Sequence, residues 1–270
     1  MSTPVRHITL LFIFAILATW QINAQTNLVK IIASPVPFPD NQLSVAVLVL
    51  NDDFSQNYSL SGDFQLNCEN GTLSSQILRI RNGASSLSTH LTASSDIILT
   101  IDGFTGHREI IMVEKPVKEV DSPLISSTSW SADTIYHVSG GLQIDQGTVL
   151  EIEAGTIVMI AEMVNIQVNG QLLVNGTEDK PVIFTAEDPA LPWGGIELLP
   201  GSDTSVFQHT FFRFGGGNPE YIFGHSDSQP VVLVKQTGVI FECCYFLDNA
   251  GKALGSSLAL VELSDCIISR

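Results

Sequence analysis

From Trp130 to its last residue the chain is written in short alternating segments, each closed by Gly or Asn, and this texture narrows the available folds more than any other feature. Leu142-Gln143-Ile144, Leu150-Glu151-Ile152, Ile166-Gln167-Val168 and Leu172-Leu173-Val174 are divided by Gly140-Gly141, Gly147, Ala154-Gly155, Gly170 and Gly176. Period-2 alternation puts Leu, Ile and Val on one face and Gln143, Glu151 and Gln167 on the other. Strands this brief are too short for a sandwich. They suit a solenoid, in which each coil carries a few strands and bends and buries its apolar face only by stacking on the next coil.

The repeat is directly visible. Val239-Ile240-Phe241-Glu242-Cys243-Cys244-Tyr245-Phe246 aligns with Val261-Glu262-Leu263-Ser264-Asp265-Cys266-Ile267-Ile268 at an offset of 22 residues. An earlier copy, Ser205-Val206-Phe207-Gln208-His209-Thr210-Phe211-Phe212, aligns with the first at an offset of 34, which implies an insertion between those coils. A period in the low twenties is one turn of a parallel β-helix. The alignment also sets Cys244 and Cys266 at equivalent places on successive coils, so the two are expected to stack. The chain stops inside a repeat at Ile267-Ile268-Ser269-Arg270 with no capping segment. An open last coil exposes apolar side chains and unpaired backbone, so we expect either further coils beyond residue 270 or another chain over the end.

Residues 27–114 have a different texture. Leu43 to Leu50, Ile77 to Ile80, Ile97 to Ile101 and Ile110 to Val113 are apolar runs, separated by Asn51-Asp52-Asp53, Asn70-Gly71 and Asp102-Gly103, which suit tight turns. Strands at this spacing without a helical period predict a small β-sandwich. Residues 115–129 open on Lys115-Pro116-Val117-Lys118-Glu119-Val120-Asp121-Ser122-Pro123 and read as an interdomain linker. At the start, Arg6 and His7 lead into the apolar run Ile8 to Ala18 and then Ile22-Asn23-Ala24, the order of a secretory signal over residues 1–24. Gln21 and Asn23 cut the run short of a membrane span. The mature chain is therefore expected outside the cell or at its surface, with the membrane crossed only during export.

Charge bears on partners. Of the net charge of −16, the part after residue 115 contributes most, with 19 acidic against 6 basic residues. An acidic surface repels phosphate backbones and other polyanions, which argues against nucleic acid and for neutral glycans, proteins or divalent cations. The four cysteines, Cys68, Cys243, Cys244 and Cys266, lack the spacing of a disulfide-stapled miniprotein and are read as buried free thiols.

Two resemblances follow from particular runs. Cys68-Glu69-Asn70-Gly71-Thr72-Leu73 with Arg81-Asn82-Gly83 resembles the Ig-like modules of bacterial surface proteins, which implies a module that spaces or presents its neighbour. The run Leu150 to Thr185, with Ile152-Glu153-Ala154-Gly155-Thr156-Ile157, Val168-Asn169-Gly170-Gln171-Leu172 and Pro181-Val182-Ile183-Phe184-Thr185, followed by Trp193-Gly194-Gly195-Ile196-Glu197-Leu198, resembles the opening coils of secreted bacterial right-handed parallel β-helix proteins of the pectate-lyase-like superfold. It is also similar to the β-helix region that precedes spore-coat-kinase-type domains, although no kinase domain follows here. The implied architecture is all-β: an Ig-like sandwich, then a right-handed parallel β-helix over residues 130–270.

Parallel β-helices often handle polysaccharides along a groove of stacked side chains. A lyase needs a base and cations to neutralise a uronate, often with Ca²⁺ held by carboxylates. The basic candidates Lys180, Arg213, Lys235 and Lys252 sit in no recognisable motif. An inverting hydrolase needs clustered carboxylates, and Glu187-Asp188, Glu220, Asp227 and Asp248 are too scattered to supply them. The insertion Tyr221-Ile222-Phe223-Gly224-His225-Ser226-Asp227 places His225 and Asp227 in a long loop, where function tends to sit, or where a surface turn closes on itself. Trp193, Tyr221 and Tyr136 are candidates for stacking on sugar rings, with Trp193 equally suited to the core. Asp145, Glu151 and Glu153 form an acidic stripe that would attract Ca²⁺ or be solvated. The sequence reading is a non-catalytic binding or scaffolding β-helix whose candidate ligand contacts are Trp193, Arg213, Tyr221, His225, Asp227 and Lys235, with no required cofactor and Ca²⁺ as the one ion considered. The alternative is a polysaccharide lyase or glycoside hydrolase.

Overall fold

The structure, a computed structural model, describes residues 27–33, 41–112, 115–218 and 229–269. The signal at residues 1–24 lies outside the described residues. So do the candidates Tyr221, His225 and Asp227.

The N-terminal part contains β1 (Asn27–Ala33), β2 (Gln42–Leu50), β3 (Gly62–Leu73), β4 (Ile77–Ile80), β5 (Ala84–Ile101), β6 (Phe104–Thr105) and β7 (His107–Ile110). They form one connected sheet in the order β4-β3-β5-β2-β1-β6, with β7 on β5. The long β5 joins its halves: residues 84–90 pair with β2, whereas residues 91–101 pair with β3 and, at 97–100, with β7. Leu43, Val45, Val47, Leu66, Leu78, Ile97 and Leu99 close the core inside this fold. Asp102-Gly103 makes the expected turn, with Gly103 at φ 81. Asn70-Gly71 does not: Asn70 (φ 62) sits in β3 at a bulge, where the register shifts between Glu69 and Gly71. A left-handed Asn serves a bulge as well as a turn, so the dipeptide alone does not separate them.

The rest is a parallel β-helix with three sheets. The first contains Val117–Val120, Ile135–Val138, Ile157–Ile160, Val182–Ala186, Thr210–Arg213, Tyr245–Leu247 and Ile267–Ile268; the second Leu142–Ile144, Ile166–Val168, Ile196–Leu198, Val232–Lys235 and Leu254–Ser257; the third Thr128–Trp130, Val149–Glu153, Gln171–Asn175, Ser205–Gln208, Gly238–Glu242 and Leu260–Ser264. Residues aligned down the first sheet are Val117, Ile135, Ile157, Ile183, Phe211, Tyr245 and Ile267, so successive coils differ by 18, 22, 26, 28, 34 and 22 residues. The offsets of 34 and 22 found in the sequence are therefore the true register, for Ser205 sits on Val239 and Val239 on Val261.

Residues 115–129, expected as a linker, carry the first coil. Val117–Val120 pairs in parallel with Ile135–Val138, Leu124 bridges to Ile144, and Thr128–Trp130 pairs with Leu150–Ile152. The prolines flank the strand without interrupting it, and Lys118 lies over the Tyr136 ring at 5.7 Å, covering apolar surface at that end of the stack.

Inside the coils, aromatic rings pile directly on one another. Phe184, Phe212 and Phe246 form one column, with centroids 5.5 and 4.6 Å apart, and Phe207 and Phe241 a second at 5.1 Å. The columns meet edge to face, Phe207 on Phe212 at 5.4 Å. Corners between the third and first sheets are turned by one left-handed residue at equivalent positions: His209 (φ 42), Cys243 (φ 51) and Asp265 (φ 52). Next to that corner Thr210, Cys244 and Cys266 stack, each bonding the carbonyl two residues earlier. The expected stacking of the two cysteines is thus observed, and all four cysteines are free thiols.

The strands of the first sheet from Ile135–Val138 to Tyr245–Leu247 are buried on both sides. Its outer ladder of Ile135, Ile157, Ile183, Phe211, Tyr245 and Ile267 packs against Ile32 of β1 and Ala46 and Leu48 of β2. Alternation in β2 explains this: Leu43, Val45, Val47 and Val49 face the N-terminal core, while Ser44, Ala46 and Leu48 face the β-helix. Polar contacts frame the seam. Lys30 pairs with Glu178 at 2.8 Å, Ser44 donates to Asp248, and the hydroxyls of Ser86 and Ser269 meet at 2.6 Å. The N-terminal part lies along the β-helix and covers one of its faces.

Candidate functional site

Several residues expected at a ligand surface are internal. Trp193 is fully buried, and its indole Nε1 donates to the Arg213 carbonyl at 2.7 Å. The preceding Pro192 and the following Gly194-Gly195 turn the chain inward, so the ring fills the corner between the first and second sheets and abuts Gly215. Arg213 is also fully buried. It ends a first-sheet strand on the side covered by the N-terminal part, 3.8 Å from Asp248 and with its guanidinium over the Phe214 ring at 4.5 Å. Tyr136 stacks on Trp130 at 4.5 Å, and its hydroxyl accepts from the Ser131 amide. Their burial corrects the expectation that Trp193, Tyr136 and Arg213 meet a ligand.

Lys235 is the described candidate that reaches solvent. Its Nζ lies 3.5 Å from Glu197, on the outer side of the second sheet. Glu197 itself is buried because the chain returning at Gln229 folds over it, donating Nε2–H to Glu197 Oε1 at 3.1 Å. The arrangement is a salt bridge roofed by an amide. It holds one carboxylate, so it does not supply an acid and a base on opposite sides of a glycosidic bond. Nearby, at the corner between the second and third sheets, Gln143, Asp145, Asn169 and Gly201 line a shallow polar hollow of about 460 Å³.

The outer face of the third sheet carries polar side chains tied together from rung to rung, beside an apolar row of Leu173, Val206 and Ile240. Ser129 donates to Glu153 at 2.9 Å, Asn175 to Glu151 at 2.8 Å and Gln208 to Glu242 at 2.8 Å. Glu151 and Glu153 thus each commit one oxygen to a neighbouring side chain, while Asp145 accepts from Gln143 at 2.8 Å on another corner. Among the described residues, no three His, Cys, Asp or Glu side chains gather as metal ligands would.

A larger feature went unread in the sequence because it forms between the two parts. A cleft of about 860 Å³ opens between β1, the loop after β2 and the turn before β7 on one side, and the Glu178-Asp179 and Asp265-Cys266 corners of the β-helix on the other. Phe54 and Tyr58 stand at its rim, 73% and 69% exposed. Lys30 and Glu178 pair across the boundary, and the hydrogen bond from Lys30 holds the Glu178 carboxyl below its usual range. Arg108 Nε donates to the Ala33 carbonyl at 3.2 Å; burial pushes the pKa of its guanidinium down, and the nearby Asp179 and Glu178 partly offset this. Two aromatic residues four apart in a loop were the available signal, but only the docking of the sheets makes them neighbours of Glu178 and Asp265.

Residues 123–208 match the family model of a pectate-lyase like beta helix domain. The match runs from within the first coil to the end of the third-sheet strand Ser205–Gln208, and it agrees with the three parallel sheets of a parallel β-helix. No curated protein and no solved structure matches the chain.

Proposed function

We propose that this chain is an exported, non-catalytic binding or scaffolding module that presents a rigid β-helix to glycans or surface proteins. The observation that carries the reading is the third-sheet outer face, where Glu151, Glu153 and Glu242 are each hydrogen-bonded to an amide or hydroxyl of an adjacent rung. Carboxylates held this way are acceptors in fixed places. They suit recognition of hydroxyls or amides, whereas general acid catalysis needs a carboxyl kept protonated by burial or a like charge. Two of the four basic candidates for a lyase are engaged within the protein, Arg213 in the seam and Lys235 on Glu197.

The likeness to a pectate-lyase like beta helix domain favours a second reading, a lyase or hydrolase working along the outer groove, for which Lys235 and Glu197 are the residues to test. One experiment separates the two. The mature chain is incubated with neutral and acidic polysaccharides, with and without Ca²⁺, and both retention and new reducing or unsaturated ends are measured. Retention without new ends is the expected result. Cleavage that is lost in Lys235→Ala would overturn the binding reading in favour of the enzyme.

A further inference from the structure

We infer that the cleft between the N-terminal sheet and the β-helix is a binding site for a short neutral oligosaccharide, with Phe54 and Tyr58 as its stacking platform. This rests on the binding-module reading above and adds a place and a ligand class.

The rim is built to hold an aromatic ring in solvent. Phe54 has φ 64, a left-handed conformation that is strained for a bulky residue. The loop around it fixes that conformation: the Phe54 amide donates to the Asn51 carbonyl at 2.9 Å, the Asn51 amide to the Ser55 carbonyl at 2.8 Å, and Ser55 Oγ to Asp53 at 2.6 Å. Folding alone gives no reason to lock a phenyl ring into water when a polar residue would fill the same turn. Tyr58, in the same loop, adds a second exposed ring with a polar tip.

Below the rings the lining mixes charged groups of both signs with apolar side chains such as Ile31, Leu48 and Tyr245. Lys30 and Arg108 face Glu178, Asp179 and Asp265. Charges that nearly cancel give no net attraction for an ion, yet they provide fixed donors and acceptors for paired hydroxyls. The chain's net charge of −16 adds a general repulsion of polyanions. Apolar ring faces above and converging polar groups below match a sugar, whose C–H face is apolar and whose edge is hydroxylated. The volume of about 860 Å³ lies in the range of pockets that enclose a small ligand.

The test is calorimetric titration of the purified chain with cellohexaose, mannohexaose and maltohexaose as neutral probes, hexagalacturonate as the anionic probe and a tetrapeptide mixture as the protein-like probe. The chain is compared with Phe54→Ala, Tyr58→Ala and, as a control outside the cleft, Arg79→Ala in β4, and thermal melting verifies that each variant folds. At least one neutral hexasaccharide is expected to bind, with Phe54→Ala or Tyr58→Ala weakening it about tenfold and Arg79→Ala leaving it within about twofold. Neutral-sugar binding that survives both aromatic substitutions overturns the cleft while leaving the binding module standing. Preference for hexagalacturonate or for peptide overturns the ligand class. Failure of every saccharide to bind overturns the cleft proposal together with the glycan arm of the module reading.

Discussion

Replacing Phe211 by Ala separates the docking of the two parts from the folding of either. The Phe211 ring points out of the first sheet, is 2% exposed, lies 4.7 Å from the Tyr245 ring and packs in one cluster with Ile183, Ile32 and Ala46. Truncating a buried Phe costs about 3–5 kcal/mol, which in a domain of this size lowers the melting midpoint by roughly 6–20 °C. Phe207→Ala is the control, since that ring lies inside the coils between Phe184 and Phe241 and its loss has a similar cost. The two variants differ in where the damage falls. Trp130 and Trp193 are both in the β-helix and residues 27–112 have no tryptophan, so in a chain that starts at Gln25 tryptophan fluorescence follows the helix alone, while far-UV circular dichroism follows every strand. Phe207→Ala should shift both signals together. Phe211→Ala should shift circular dichroism first and leave a later fluorescence transition, because the inner aromatic columns are untouched. Coincident transitions in Phe211→Ala, displaced as far as those of Phe207→Ala, would refute the view that the outer ladder is a docking seam.

Two further outcomes are expected. The Glu178 carboxyl is held below its ordinary range by Lys30, so the pair stabilises the fold above that range, and its contribution is lost as the pH falls through the folded-state value. With Glu178 largely exposed the effect stays under about 1 kcal/mol, and the difference in melting between the parent and Lys30→Ala should vanish in acid; a difference independent of pH would count against it. The hydrogen bond from Cys244 pushes the Cys266 thiol down to about 7, while burial raises that of Cys244. Alkylation followed by mass spectrometry should therefore show Cys266 reacting with a midpoint near neutrality and Cys244→Ala moving it upward, and a midpoint in the ordinary thiol range in both proteins would overturn the pairing.

The β-helix was legible because most of its strands obey a simple rule. In the third sheet, Ile152, Val174 and Phe207 point in and Glu153, Asn175 and Gln208 point out, so period-2 alternation, with Gly or Asn at several of the earlier corners, is enough to find them. Coil offsets could be read wherever neighbouring coils share apolar spacing, as with Phe207, Phe241 and Leu263. The first sheet broke the rule. Ile157–Ile160 and Val182–Ala186 are buried on both faces, and a strand covered on both sides shows no alternation. The opening coil failed for the opposite reason, since Val117, Lys118 and Glu119 are exposed and their strand looked like a charged connection.

The candidate site was less legible, and the reason is the same seam. A reading that treats each coil as facing solvent takes Arg213 for a surface cation; the register places it one residue beyond Phe212, on the side that the N-terminal sheet covers. Burial of Arg213 is thus a consequence of where a separate part of the chain packs, which no local pattern around residue 213 encodes. The cleft follows from the same event in reverse. Phe54 and Tyr58 are unremarkable loop residues until β1 and β2 lie against Ile183, Phe211 and Tyr245, after which the loop that follows β2 hangs over Glu178 and Asp265. Docking along the ladder thus removes Arg213 from solvent and creates the cleft beside Glu178 and Asp265. A substitution that loosens the ladder should therefore weaken any ligand held by Phe54 and Tyr58 even though it touches neither.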